Sequence, residues 1–283
     1  MVKRKCFVSE VQTSVAGPAS VPAPATAPDS NTVLWADRVD KTYPNGTHAL
    51  DEVRLRVQRG DFISLLGPSG CGKSTLLRMF ASLEYPSSGH LRWWNQAAIP
   101  RGETGRSMSM VFQEATLMPW ANVFSNVRLP LDLAAMPTAE SNRRTTDALA
   151  AVGLGDFHHS WPRELSGGMQ MRVSIARALA TQPNLLLMDE PFGALDEFTR
   201  QKLDADLRAL WSRSDLTVVF VTHSIYEAVF LSSKVVVMGA RPGRVIAEVE
   251  IDGPEVRDDA YRVSEPFIRT CKRLSDLLAL ANR

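Results

Sequence analysis

The sequence is most constrained by residues 67–75, which read GPSGCGKST and fit the pattern G-x-x-x-x-G-K-[ST]. Residues 61–66 before the motif are short and mostly apolar, which predicts a strand, and residues 75–81 after it predict a helix. A glycine-rich loop between a strand and a helix is an arrangement that binds phosphate groups. The sequence therefore predicts an α/β protein with a phosphate-binding loop, and these flanking elements argue against a chance glycine-rich turn.

The residue types of this loop match the chemistry that a nucleoside triphosphate requires. Gly67, Gly70 and Gly72 let the main chain approach the phosphates, and their N–H groups form an anion site together with the helix N-terminus. We expect Lys73 to reach the β- and γ-phosphates and the Ser74 hydroxyl to ligate Mg²⁺. The complete predicted nucleotide-binding loop consists of Gly67, Pro68, Ser69, Gly70, Cys71, Gly72, Lys73, Ser74 and Thr75.

Composition excludes several other classes of protein. The 283 residues carry a formal net charge of +1, so electrostatics give no indication of a nucleic-acid partner. No apolar run approaches the roughly 20 residues that span a bilayer, so any membrane part must come from another chain. Cys6, Cys71 and Cys271 fit neither a disulfide framework nor a zinc site, which favours a reduced, cytosolic setting. The basic residues 1–5 lack a following apolar stretch, so we expect no export signal.

The remaining pattern divides the chain into segments. Residues 1–31 are rich in Pro, Ala and Ser, which predicts a disordered tail. Apolar strands then alternate with helices, which favours a parallel α/β sheet within a domain at residues 32–265. We expect a helical subdomain at about residues 118–180, interrupted at Pro130 and Pro137, and a closing helix at residues 266–283.

A second group of motifs follows in chain order. It consists of LSGGM at residues 165–169, LLLMDEP at 185–191, GALD at 193–196 and a histidine at position 223. Together with the phosphate loop, these motifs resemble the ATP-binding cassette (ABC) ATPase family over about residues 33–250. The resemblance implies a RecA-like P-loop NTPase core, an antiparallel β subdomain and a helical ABC-specific subdomain. It also implies ATP and Mg²⁺ as cofactors.

The resemblance also implies catalytic and metal-binding roles. Asp189, at the end of an apolar strand, would hold Mg²⁺ together with Ser74, and Glu190 would polarise the attacking water. Two adjacent acids at a strand end are ordinary surface residues in most proteins, and here the phosphate loop favours the functional interpretation. His223 matches the switch histidine that contacts the γ-phosphate. The predicted catalytic residues are therefore Glu190, His223, Gln113 and Lys73.

Two further residues match family positions less specifically. Gln113 matches the Q-loop, which would contact Mg²⁺ and water, and its alternative is a surface glutamine. Tyr43 aligns with the aromatic residue that stacks on adenine, and its alternative is a packing role. The sequence departs from the family pattern at Met169, where Gln is frequent, and at Ser224, where Asp or Glu is common. Neither departure removes a donor from the phosphates, although both put fine control of the dimer interface in question.

The signature residues Ser166, Gly167 and Gly168 form a helix start with exposed N–H groups. The simpler interpretation of this pattern is a capped helix without a ligand. In the ABC family these residues face the γ-phosphate of ATP bound to the other subunit. The resemblance therefore implies a homodimer with two shared sites, with Asp196 at the interface.

Two further stretches indicate which kind of ABC protein this is. Residues 118–123, MPWANV, and residues 240–245, ARPGRV, resemble the bacterial import ATPases for nitrate, sulfonate and taurine. Known cargoes of that group also include bicarbonate and pyrimidine precursors. The resemblance implies a peripheral subunit on the cytoplasmic face of the inner membrane. Its partners would be integral membrane permease subunits and, indirectly, a solute-binding protein.

The competing hypothesis is a soluble, non-transport ABC ATPase that acts on nucleic acid or the ribosome. Repair members of the family need long coiled-coil insertions, but only about fifty residues separate Gln113 from Ser166. Translation factors carry two cassettes in one chain, and this sequence has one. The balanced charge also argues against nucleic acid. Transport is therefore the favoured interpretation.

Overall fold

The computed structural model describes residues 29–97 and 106–281. Residues 1–28 of the expected disordered tail lie outside these ranges, as do residues 282–283 of the expected closing helix. The strands are β1 (Thr32–Thr42), β2 (His48–Gln58), β3 (Phe62–Leu66), β4 (Ser88–Trp93), β5 (Met108–Val111), β6 (Leu185–Asp189), β7 (Thr217–Thr222), β8 (Lys234–Gly239) and β9 (Arg244–Glu250). The helices are α1 (Lys73–Phe80), α2 (Val123–Leu133), α3 (Thr138–Ala151), α4 (Gly167–Ala180), α5 (Glu197–Ser212), α6 (Ile225–Leu231), α7 (Asp259–Arg262) and α8 (Glu265–Ala281).

The strands form two sheets. β1, β2 and β4 make an antiparallel sheet in the order β2-β1-β4. The larger sheet has the order β5-β6-β7-β3-β8-β9, in which β9 runs antiparallel to β8 and the other neighbouring pairs are parallel. Every residue of β3, β6 and β7 is buried, because apolar layers cover both faces of a parallel sheet. This arrangement confirms the predicted α/β class with an added antiparallel sheet.

The six-stranded sheet separates two apolar cores. On one face, α1 packs against the antiparallel sheet, with Leu76 and Phe80 fully buried. On the other face lie α2 to α8, which enclose side chains such as Phe192 and Phe230. Within the described residues, no helix is both long enough and apolar enough to cross a membrane.

The predicted interruption at Pro130 is wrong. Helix α2 continues through Pro130 and ends at Leu133. Proline removes one main-chain hydrogen bond from a helix, but Val123, Val127 and Leu131 bury one face of α2 in the core. This burial stabilises the helix more than the missing bond weakens it. The predicted break at Pro137 is confirmed, because Pro137 immediately precedes α3.

Two buried arginines close the carboxyl end of α6. Arg208 Nη1 donates a hydrogen bond to the Leu231 carbonyl at 2.8 Å. Arg257 Nη1 lies 2.8 to 2.9 Å from three more carbonyl oxygens, those of Val229, Phe230 and Ser232. Cations at this end of a helix satisfy unpaired carbonyls and oppose the helix dipole. Because α6 starts two residues after His223, this closure also fixes the segment that carries the histidine.

The strand order brings the predicted site residues to one edge of the sheet. β6 ends at Asp189, β7 ends just before His223, and β3 ends just before Gly67. Parallel strands present their carboxyl ends at the same edge, where ligands bind in open α/β sheets. β7 lies between β6 and β3 in the sheet. His223, directly after β7, is therefore between the acidic pair at the end of β6 and the phosphate loop at the end of β3.

Candidate functional site

The phosphate loop wraps around a buried lysine. Lys73 is 5% exposed, and its Nζ donates hydrogen bonds to the carbonyl oxygens of Gly67 at 2.9 Å and Pro68 at 3.1 Å. Gly72 has a φ of 87°, and a Cβ added there would lie 2.9 Å from the Ala49 carbonyl oxygen. This position therefore requires glycine, because a side chain would collide with β2 and the backbone is left-handed.

Cys71 has a packing role within the loop. Its side chain is buried, and a Cβ added to Gly67 would lie 2.7 Å from Cys71 Sγ and 2.6 Å from the Met238 carbonyl oxygen. Burial raises the pKa of the Cys71 thiol above its usual value. A thiol that stays protonated is a poor nucleophile, so Cys71 fills space beneath the loop.

A cleft of about 610 Å³ opens in front of the loop. It brings together three predicted features: Tyr43, the phosphate loop and Glu190. Thr47, His48 and Arg241 also line it, and the sequence did not assign them to the site. No local pattern could have identified them as cleft residues, although Arg241 belongs to the ARPGRV stretch.

A hydroxyl and a carboxylate meet beside Lys73. Ser74 Oγ donates a hydrogen bond to Asp189 Oδ1 at 2.8 Å. Burial raises the pKa of the Asp189 carboxyl, and the Ser74 hydrogen bond opposes that change. Hydroxyl and carboxylate oxygens are ligands that Mg²⁺ prefers, and a cation here would compensate the burial of the carboxylate. The two side chains therefore fit the predicted magnesium site.

Glu190 lies between two basic groups. Its Oε1 is 3.9 Å from Lys73 Nζ, and its Oε2 is 3.4 Å from His223 Nδ1. The Glu190 backbone is left-handed, with a φ of 45°, and its N–H donates to the Val221 carbonyl at 3.1 Å. This backbone conformation is costly for a non-glycine residue, and the bond to β7 helps to hold it. The carboxylate is thereby held at the edge of the cleft, and 23% of its side chain is exposed.

Tyr43 is tied to the phosphate-loop helix by its hydroxyl. The hydroxyl donates to Glu84 Oε2 at 2.8 Å and lies 3.2 Å from Thr75 Oγ1. The Lys41 ammonium lies 5.1 Å from the ring centroid. The ring thus has a fixed position in the cleft wall, which suits it to packing against a flat ligand.

Gln113 is exposed and lies two residues beyond the end of β5. Val111 pairs with Met188 of β6, so Gln113 is at the same sheet edge as Asp189. Among the described residues, those lining the cleft do not include Gln113. Its approach to the site stays a prediction.

The signature residues lie apart from the cleft of their own chain. Ser166 caps α4 by accepting a hydrogen bond from the Met169 N–H at 3.3 Å, and Ser166 and Gly167 are exposed. A Cβ added to Gly168 would lie 2.6 Å from Thr199 Cγ2, so α4 packs closely against the start of α5. Asp196 caps that helix by accepting from the Thr199 N–H at 3.0 Å. The exposed start of α4 is therefore open to another molecule.

Comparison with known proteins agrees with this geometry. A sequence model described as ABC transporter matches residues 50–193. The taurine import ATP-binding protein of Rhizobium johnstonii is 44% identical over 224 residues, which are 79% of this chain and 83% of that protein. The nitrate import ATP-binding protein of Synechococcus elongatus is 40% identical over 250 residues, covering 86% of this chain and 90% of that protein.

A solved structure adds the fold-level comparison. A dimeric ATP-binding cassette in a post-hydrolysis state, bound to ADP and Pi, superimposes with a TM-score of 0.67 and 35% identity. The match covers 78% of this chain and 100% of that structure. The motifs, the fold and these similarities lead to one conclusion: the chain belongs to the ABC transporter family, whose ATP-binding proteins are ATPases coupled to transport.

Proposed function

We propose that this chain is the ATP-hydrolysing subunit of a bacterial ABC importer for a small solute. The observation that carries the proposal is the position of Glu190, between Lys73 and His223 at the edge of a nucleotide-sized cleft. The names of the relatives favour a cargo of the taurine or nitrate kind. The motif resemblance adds sulfonate-like, bicarbonate-like and pyrimidine-precursor-like solutes as candidate cargoes.

The phosphate loop would bind the triphosphate of ATP. The Lys73 ammonium now bonds to two loop carbonyls, and the β- and γ-phosphate oxygens are stronger acceptors for it. Ser74 and Asp189, with Gln113, would hold Mg²⁺, which supplies charge stabilisation for the phosphates when it is bound. The Tyr43 ring would stack on the adenine.

Glu190 would orient and deprotonate the attacking water. Its carboxylate is at the edge of the cleft, 3.9 Å from Lys73 Nζ and 3.4 Å from His223 Nδ1. His223, whose side chain is 53% exposed, would turn towards the γ-phosphate. These roles follow the sequence prediction, and they fit the distances between the three side chains.

The proposal includes a head-to-tail homodimer. Ser166, Gly167 and Gly168 do not line the cleft of their own chain, and Ser166 and Gly167 at the start of α4 are exposed. A second copy would place these donors against the ATP held by the first chain. Asp196, close to the same helix start, would lie at that interface.

Permease binding would use the helical part of the chain, about residues 118–180. A groove of about 320 Å³ lies between β5 and helices α2 and α4, with Phe112, Leu129 and Leu133 among its lining residues. Leu133 is 79% exposed and Phe112 is 40% exposed, so the groove presents more than one exposed apolar side chain, as interaction surfaces do. A cytoplasmic helix of the permease would fit this groove and hold the subunit on the cytoplasmic face of the membrane. The solute-binding protein would act only through the permease.

Size-exclusion chromatography of Glu190→Gln with ATP and Mg²⁺ tests the proposed enzyme. We expect an ATP-dependent dimer without turnover, and the same variant carrying Ser166→Arg is expected to stay monomeric. A variant that turns over ATP at the wild-type rate would contradict the assignment of Glu190.

Co-purification distinguishes transport from the alternative function. An importer subunit is expected to co-purify with a membrane permease. The substitution Leu133→Asp is expected to weaken that association and to leave ATP binding unchanged. Stable binding to DNA or to ribosomes without a permease would favour the non-transport ATPase.

A further inference from the structure

Arg241 lies in the turn between β8 and β9, far in sequence from the phosphate loop, yet it lines the same cleft. The cleft wall on this side also includes Tyr43, Thr47 and His48. None of the roles proposed above uses Arg241.

The turn is fixed against the elements that form the cleft. The Gly243 N–H donates to the Ala49 carbonyl at 3.0 Å, and the Asp51 N–H donates to the Gly243 carbonyl at 2.9 Å. A Cβ added to Gly243 would lie 2.2 Å from the carbonyl oxygen of Cys71. The turn is therefore wedged between the start of β2 and the phosphate loop, so the backbone of Arg241 has a defined position.

These contacts of the β8–β9 turn determine the end of the cleft at which Arg241 lies. Ala49 follows the β1–β2 turn. This turn is closed by a hydrogen bond of 2.9 Å from the Tyr43 N–H to the Thr47 carbonyl. Arg241 is thus connected to the hairpin that carries Tyr43. Glu190 is held instead beside the Lys73 ammonium and His223, where the terminal phosphate is expected.

The charge of Arg241 has no partner among residues 29–97 and 106–281. Within the described part of the chain its guanidinium has neither a hydrogen-bond nor an ion-pair partner. The other basic side chains of the cleft do have partners. Lys73 Nζ bonds to two carbonyl oxygens, and His48 Nε2 lies 3.8 Å from Asp40 Oδ1. Guanidinium groups bind phosphate oxygens in a bidentate manner and also stack on flat rings. A cation without a partner, on a fixed turn beside a phosphate site, is suited to an anionic nucleotide.

We infer that Arg241 is a second cationic nucleotide contact, acting on the part of the ligand that ADP and ATP share. This inference rests on the proposed function, because it assumes that the cleft binds adenine nucleotides. Lys73 would bind the terminal phosphates. Arg241 would bind the part of the nucleotide that ADP and ATP share, from the side of the β1–β2 hairpin. The turn would thus take part in nucleotide affinity, in addition to its structural contact with the phosphate loop.

Calorimetric titration with ADP tests the inference, using Arg241→Gln and the matched control Arg244→Gln. Arg244 begins β9, is exposed and does not line the cleft. We expect Arg241→Gln to raise the Kd for ADP about tenfold, the effect of losing one charge-assisted contact in a partly exposed site. Arg241→Lys is expected to recover part of the affinity, and Arg244→Gln to leave it unchanged. The difference is expected to shrink in 0.5 M salt, because exposed charges are screened.

Each outcome has a definite meaning. If Arg241→Gln binds ADP within twofold of the wild-type Kd, or if Arg244→Gln loses as much affinity, the role of Arg241 is wrong and the proposed ATPase still stands. If the wild-type protein binds no ADP, both proposals are overturned. A similar loss for ADP and for a non-hydrolysable ATP analogue supports a contact outside the γ-phosphate, and a loss seen only with the analogue contradicts it. Thermal unfolding without nucleotide checks that the Gln variant is folded.

Discussion

Glu190 Oε2 lies 3.4 Å from His223 Nδ1, although the two residues belong to segments that follow different strands. Glu190 follows β6 and His223 follows β7, and the pairing of Asp189 with Val221 brings the two strand ends side by side. The distance is therefore set by sheet register and not by local sequence. It places the imidazole beside the carboxylate that lines the cleft.

Glu190→Gln is expected to lower kcat by about 10²–10⁴-fold, because the amide cannot accept the proton of water. ATP binding is expected to survive, since Lys73 and the loop are unchanged. Phosphate release and ATP titration measure the two effects separately. Glu255→Gln, at an exposed glutamate away from the cleft, is the control. Loss of ATP binding together with turnover would indicate a structural role for Glu190.

Lys73→Ala is expected to abolish ATP binding, because it removes the buried ammonium at the centre of the phosphate loop. The two carbonyls that it now satisfies, those of Gly67 and Pro68, would also lose their donor. ATP titration compares this variant with Lys272→Ala, which removes an exposed lysine from α8. An unchanged affinity in Lys73→Ala would refute the phosphate-loop assignment.

Mixing two inactive variants tests the shared site. Ser166→Arg blocks the start of α4, and Lys73→Ala removes the phosphate lysine, so each homodimer is expected to be inactive. A mixed dimer keeps one intact combination of loop and helix start, so an equal mixture is expected to recover about a quarter of wild-type activity. The ATPase rate of the mixture, against each variant alone, measures the recovery. The absence of any recovery would count against a site shared between two chains.

Arg257→Leu is expected to lower the free energy of unfolding by about 3 kcal/mol, because three buried carbonyl oxygens at the end of α6 lose their donor. Urea unfolding measures the change. Arg269→Leu is the control, because its 3.9 Å ion pair with Glu265 is exposed and is expected to contribute less than about 1 kcal/mol. Equal effects of the two substitutions would exclude the proposed closure of α6.

Asp204 makes stability depend on pH. Burial, followed by the nearby Glu227 charge, raises the pKa of this carboxyl from 3.8 to about 8, although Arg262 opposes the change from 3.5 Å. The folded state therefore holds a proton that the unfolded state releases, and the stability due to this proton is lost as pH rises from about 4 to 8.

Asp204→Asn is expected to remove this dependence, so its stability relative to wild type should increase as pH rises. Urea unfolding at several pH values between 5 and 9 measures the difference. Titrating groups distant from Asp204 cancel between the two proteins, whereas Glu227, which interacts with Asp204, contributes to the measured difference. Asp215→Asn, at an exposed position, is the control. Parallel stability curves for wild type and Asp204→Asn would contradict the raised pKa.

The phosphate loop was predictable because its information is local. Gly67 to Lys73 carry the required residue types in adjacent positions, and the flanking strand and helix are visible in the apolar pattern. The acidic pair at the end of β6 was predictable for the same reason. Helix α2 was only partly predicted. It continues past Pro130 because its apolar face is buried against side chains from other segments, and these contacts are not visible in the local sequence.

The site residues that the sequence did not assign depend on long-range contacts. Arg241 reaches the cleft only because Gly243 packs against Cys71 and Ala49, which are far away in the chain. The left-handed backbone of Glu190 is likewise held by the carbonyl of Val221 in another strand. Neither relationship has a signature in a single stretch of sequence.

Strand β7 pairs with β6 on one side and β3 on the other, with Leu66 opposite Thr222. A one-residue slip of β7, about 3.3 Å, would break both ladders of hydrogen bonds, so the backbone next to His223 is held in place. The imidazole is 53% exposed and keeps its torsional freedom. If the imidazole turns towards a ligand as proposed, the movement would be a rotation about side-chain bonds, which takes picoseconds to nanoseconds, and not a slower rearrangement of the sheet.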